Sequence, residues 1–187
     1  MTGTPLDLGR PIVGDVIELI LDEHRRFEAL LRRLRDSSSD RDAVRQAFAA
    51  VHVAHAEAEE KYVYPTLRKE RAIDEHEKQH GEEEHAEGNL ALLAVLELNG
   101  TNTQAFDDAV EKLSRLVNHH LAEEELTILN PARTDVSDRF RVELGEAFAK
   151  ERNAQIDADC GRIENVRELV ARAKNEGLLD HPEDETA

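Results

Sequence analysis

Four amphipathic stripes, each broken by a histidine that lies level with the others once the chain is folded at its turns, restrict this sequence more than any other feature. In the first, Val13, Ile17, Ile20, His24, Phe27, Leu31 and Leu34 recur at steps of four and three, the spacing that holds side chains on one helix face. This helix is expected to begin just after Pro11 and to stop at the polar break Asp36–Asp40. The second helix, from about Arg41 to Tyr64 and ending at Pro65, presents Val44, Phe48, Val51, His55, Glu59 and Tyr62. The third, from near Asp74 to Asn99 and Gly100, presents His85, Gly88, Leu92 and Val95 or Leu96. The fourth spans about Gln104 to Leu129, with Phe106, Val110, Leu113, Val117, His120, Glu124 and Thr127 or Ile128 on one face.

Residues that face each other across an antiparallel helix pair lie equally far from the connecting loop. The midpoint of His24 and His55 falls inside the Asp36–Asp40 break, that of His85 and His120 inside Gly100–Thr103, and that of His55 and His85 at Glu70, beyond Pro65. The four histidines should therefore share one layer. Glu59 and Glu124 each follow a histidine by four residues on helices running the same way, so they form a second layer about 6 Å to one side.

The expected fold is all-α, an up-down-up-down four-helix bundle over residues 1–133 with a C-terminal helical extension over 134–187. In the extension, helices near Ser137–Arg152 and Arg162–Glu176 carry apolar stripes, Phe140, Leu144 and Phe148 in one and Ile163, Val166 and Val170 in the other. Such faces should pack on the bundle or on a second copy, so a homo-oligomer through these helices is an option. The final HPEDETA reads as disordered.

Composition narrows the partners. A formal charge of −17 repels phosphate backbones and anionic lipid, arguing against nucleic acid. No apolar run reaches the roughly 20 residues of a membrane span, and MTGTPLDLGRP lacks the features of a signal peptide, so a cytoplasmic location is expected. Cys160 is the one cysteine and is expected to serve packing.

Six ionisable groups in one bundle cross-section are hard to bury without compensating charge, and a pair of divalent cations would supply it. Imidazole and carboxylate are donors that suit iron. A ferritin-like carboxylate site needs Glu-x-x-His on two helices and a lone Glu on the other two. Here Glu77-x-x-His80 and Glu82-x-x-His85 occur only on the third helix, while the second and fourth carry the reverse order, His-x-x-x-Glu.

The stretches LILDEHRRFEALLRRL, HAEAEEKYVYPTL, EEHAEGNLALLAVL and VNHHLAEEELTILNPAR, covering roughly Gly14 to Arg133, resemble the hemerythrin-like family, or HHE cation-binding domain, of bacterial type. The resemblance implies a non-haem di-iron centre with His24, His55, Glu59, His85, His120 and Glu124 as metal ligands. It also implies bridging by both glutamates and by an oxo or hydroxo group. Members that carry oxygen reversibly typically have a second histidine four residues from the first on the third helix. Here those positions are Gly81 and Asn89. His80 is a substitute, though five residues is about 140° around a helix. Glu125 sits at the five-residue spacing after His120 that those members use, but Glu124 mirrors Glu59 and is preferred.

Four imidazoles and two bridging carboxylates leave positions over for water or a small exogenous ligand. Peroxide, nitric oxide and dioxygen are the candidate guests. The chain then reads as a protein that binds or reacts with a small oxidant or diatomic gas, in an oxidative-stress setting. If it is an enzyme, it decomposes peroxide or consumes nitric oxide. The alternatives are a non-enzymatic sensor or carrier of oxygen or iron, and a metal-free helical interaction protein. Tyr62 is expected at the pocket wall or as a hydrogen-bond donor, Glu60 at the surface, and His52, His76, His119 and His181 in exposed or supporting positions.

Overall fold

The computed structural model describes residues 6–179, all helix and connecting segments with no strand among the described residues. His181 and the HPEDETA end lie outside the described residues. The helices are α1 (Val16–Arg35), α2 (Arg41–Ala58), α3 (Tyr64–Lys69), α4 (Glu75–Glu97), α5 (Gln104–Glu124), α6 (Asn130–Asp135), α7 (Asp138–Asp157) and α8 (Ile163–Asn175). Four rods form the bundle, packed in the order α1, α2, α4, α5 and back to α1. Side-chain caps set their starts. Asp15 accepts from the Ile17 amide, Asp40 from Ala43 and Thr103 from Phe106, and Asp74 and Glu77 form a reciprocal capping box.

Three boundaries differ from the sequence expectation. The first helix starts at Val16 rather than after Pro11, because Asp15 is the residue that caps it; Val13 falls outside and is exposed. The second and fourth rods run through their prolines, to Lys69 and Asp135. In each, a π-helical turn precedes the proline, Glu59–Val63 before Pro65 and Glu125–Leu129 before Pro131. The Tyr64 amide reaches Glu59 O and the Asn130 amide reaches Glu125 O, so the ladder slips by one residue just ahead of a residue that cannot donate.

The polar layer divides the interior into two apolar clusters. Phe27, Phe48, Leu92, Phe106 and their neighbours fill one side; Ile17, Ile20, Val63, Leu67, Ile128 and Phe148 fill the other. The C-terminal helices belong to both. α7 packs across α1 and α2 and gives Leu144 and Phe148 to one cluster, while α8 packs on α4 and gives Val166 and Leu169 to the other, beside buried Cys160. At Gly145 the backbone of α7 comes so close to the start of α1 that a Cβ would lie 2.0 Å from Gly14 O. The extended segment before α1 is held down by fully buried Arg152, which donates to the carbonyls of Leu8 and Gly9 and forms a forked pair with Glu23 at 3.0 and 3.2 Å. No helix among the described residues is long and apolar enough to cross a membrane.

Candidate metal centre

Between the two apolar clusters, His24 of α1, His55 of α2, His85 of α4 and His120 of α5 converge with Glu59 and Glu124, and all six are 5% exposed or less. Their rings meet in pairs, 5.5 Å between centroids for His24 and His55 and 4.5 Å for His85 and His120. The donors form two triads, His24, His55 and Glu124 in one and Glu59, His85 and His120 in the other, each with its atoms within 4.8 Å of one another.

Both carboxylates lie between the triads. Glu59 Oε2 is 3.1 Å from His55 Nε2 and 3.3 Å from His85 Nε2. Glu124 Oε2 is 3.1 Å from His24 Nε2 and 3.8 Å from His120 Nε2. Each glutamate thus faces one imidazole from either triad, the placement a carboxylate needs to span two cations.

The outward nitrogens fix the tautomers. His24 Nδ1 meets Glu125 Oε1 at 2.8 Å, His85 Nδ1 meets Glu60 Oε1 at 3.0 Å and His120 Nδ1 meets Glu84 Oε2 at 2.9 Å. An ionised carboxylate only accepts, so each Nδ1 carries the hydrogen and each Nε2 turns its lone pair inward once the ring is neutral. Those Nε2 atoms, with both ring nitrogens of His55, Glu59 Oε1 and Glu124 Oε2, are buried without an aligned hydrogen-bond partner among the described residues. Such a concentration of unsatisfied buried atoms is costly in a closed core. The donor set fits divalent cations of the borderline kind that take imidazole and carboxylate together.

In the metal-free site the neighbouring carboxylates raise the proton affinity of two histidines. Burial disfavours a charged His24, but Glu124 and Glu125 outweigh it and lift the group to about 9. His85 is likewise raised against burial by Glu59 and Glu60. Glu59 is held well below the usual carboxylate range, burial being overcome by His55 and His85. A metal must expel the proton from His24 Nε2, so affinity should rise with pH up to about 9, by as much as about tenfold per unit for each proton released. Stability of the metal-free fold runs the other way. The raised histidine contributes fully below its ordinary 6.5 and loses that contribution as pH climbs through about 9. Calorimetry in buffers of different ionisation enthalpy reads the proton release, and thermal unfolding of the metal-free chain reads the loss.

Several residues sit elsewhere than the sequence suggested. Tyr62 is only half-buried and lies against Lys61, whereas Tyr64 is fully buried and donates its hydroxyl to Glu124 Oε1 at 2.9 Å, with Glu59 Oε2 at 3.4 Å. Five residues on from Glu59 would lie about 140° away on an α-helix, but an i→i+5 turn brings that residue back over the first. Burial and the charges of Glu124 and Glu59 push the Tyr64 hydroxyl well above its ordinary range, so it stays a donor. Its ring stacks on His85 and occupies the space beside Gly81, where a Cβ would lie 3.0 Å from it.

Glu60 was expected at the surface and instead holds His85; Glu125 holds His24 rather than entering the layer, and Glu124 enters it. His52 is 4% exposed, stacked on Phe48, with its ring in the space left by Gly88. Burial, then the neighbouring histidines, keep it neutral. His80 is exposed and paired with Glu123, apart from the buried layer, and His76 and His119 are exposed.

No curated protein and no solved structure matches the chain. The family model described as hemerythrin HHE cation binding domain matches residues 15–132, more than half of the chain, and this span takes in the first three rods, the fourth to within a turn of its end, and every member of the buried layer. With that match beside buried histidine and glutamate triads fit for a cation, the chain belongs to the hemerythrin HHE cation-binding domain family.

Proposed function

We propose that His24, His55, Glu59, His85, His120 and Glu124 hold two iron ions, with Glu59 and Glu124 each bridging the pair, and that the centre decomposes peroxide. The observation that carries this reading is the convergence of four unpartnered Nε2 atoms on two carboxylates, each carboxylate facing both triads. When bound, the irons supply Lewis-acid and one-electron redox chemistry.

The protein's own groups do the rest. Tyr64 keeps its proton and aims a hydroxyl at the carboxylate layer, where it can hydrogen-bond a small oxygen species. Apolar clusters on both sides exclude bulk water and larger substrates. Two surface hollows between α1 and α5 share Ala122 and Glu125 in their lining, and Glu125 is the carboxylate that holds His24. A metal-free interaction protein would gain nothing from this layer and would bear its desolvation cost.

Repeated additions of hydrogen peroxide to the iron-loaded chain should release dioxygen at each addition, read by an oxygen electrode. Tyr64→Phe should retain its iron and lose roughly 10²-fold in rate, the contribution of a positioned hydrogen-bond donor. Uptake of peroxide without dioxygen release, together with reversible binding of dioxygen or nitric oxide, would favour a carrier or sensor instead.

A further inference from the structure

On the outer face of α4 and α5, His80-x-x-x-Glu84 on one helix lies antiparallel to His119-x-x-x-Glu123 on the other. The midpoints of His80 with Glu123 and of Glu84 with His119 coincide within the connecting loop between α4 and α5, so each histidine is level with the glutamate of the facing helix. Nε2 of His80 is 3.0 Å from Glu123 Oε2 and 3.9 Å from Glu84 Oε1. Nε2 of His119 is 3.7 Å from Glu84 Oε1 and 3.5 Å from Glu123 Oε1. A tetrahedral cation with donors at about 2.0–2.1 Å separates them by roughly 3.3–3.4 Å; His80, Glu84 and Glu123 offer atoms all within 4.8 Å of one another, and His119 stands beside both carboxylates, within a side-chain rotation of joining them.

Glu84 belongs to two circles at once. Its Oε1 faces the two surface histidines, while its Oε2 accepts from His120 Nδ1. We propose that His80, Glu84, His119 and Glu123 form a second cation site that takes a small divalent ion of the zinc type, and that its occupancy is transmitted to the buried centre through Glu84. A cation on Oε1 draws charge from the carboxylate, weakens its hold on His120 Nδ1 and makes His120 Nε2 a poorer donor. The binding half of this proposal stands on surface residues alone; the coupling half rests on the assignment of His120 as an iron ligand.

The test uses the full chain loaded with iron, given zinc chloride, desalted and analysed for both metals. About one zinc ion per chain is expected, with iron unchanged. His80→Ala with His119→Ala should weaken zinc by at least roughly tenfold and leave iron in place; both side chains are about half exposed, so the fold is not at stake. Zinc that is not retained, that the double variant retains equally, or that enters only as iron leaves overturns the second site. The iron charge-transfer absorption should shift on zinc addition in the parent and not in the double variant; an unshifted band overturns the coupling. If the chain takes up no iron, the buried-centre reading and the coupling fail together, and the zinc comparison still decides the surface site.

Discussion

Glu59→Ala is expected to cut iron loading from about two ions per chain to one or none, a larger effect than any exchange among the outer carboxylates. Glu59 has no exposed surface and sits between His55 and His85, so its loss removes the carboxylate of one triad and the group that faces His55 in the other. Glu60→Gln supplies the contrast. Glu60 touches only His85 Nδ1, and weakening such a supporting contact lowers metal affinity about 10–100-fold without removing a ligand. Metal analysis over a range of free iron separates the two, since the first variant loses capacity and the second only affinity. The metal-free Glu59→Ala chain should be less stable than the parent, because His55 and His85 hold the Glu59 carboxylate ionised against burial and lose that partner.

Arg152→Met should cost the fold about 3–5 kcal/mol, a large part of the 5–15 kcal/mol typical of a domain. The arginine side chain is fully buried, its fork closes on Glu23, and its remaining hydrogens hold the Leu8 and Gly9 carbonyls. Truncation leaves Glu23 buried on α1, one residue before His24, with the longer contact to Arg26 Nε at 3.6 Å in place of the fork. Urea unfolding of the metal-free chain measures the loss. Adding Glu23→Leu should recover much of it, because removing both partners of a buried pair is far milder than removing one.

The layer of histidines was legible because helix periodicity fixes which face a residue occupies and loop midpoints fix its height. His24, His55, His85 and His120 needed nothing more. What stayed hidden is tied to particular departures from regular geometry. The π turns at Glu59–Val63 and Glu125–Leu129 shift everything after them by one residue, which puts Tyr64 in the interior where straight periodicity favours Tyr62. Pro65 was read as a terminator and the fourth helix was ended at about Leu129, although apolar positions such as Leu67 and Ala132 continue a buried face beyond them.

His52 could have been found from Gly88. A glycine in an inward stripe leaves a hole, and His52 on the neighbouring helix fills it. The supporting carboxylates share a pattern as well, since Glu60 follows Glu59, Glu84 precedes His85 and Glu125 follows Glu124, each one residue from a member of the layer. Arg152 offered no such cue. Its partner Glu23 is 129 positions away, and nothing local distinguishes it from the other charged residues of α7.

The account stands on cations occupying the layer between the two apolar clusters. Anaerobic reconstitution of the full chain with ferrous iron, followed by desalting and metal analysis, tests it most directly. About two irons per chain, lost in His55→Ala while helical content persists, is the predicted result. A folded parent chain that retains no metal, or that binds iron equally well without His55, would contradict it.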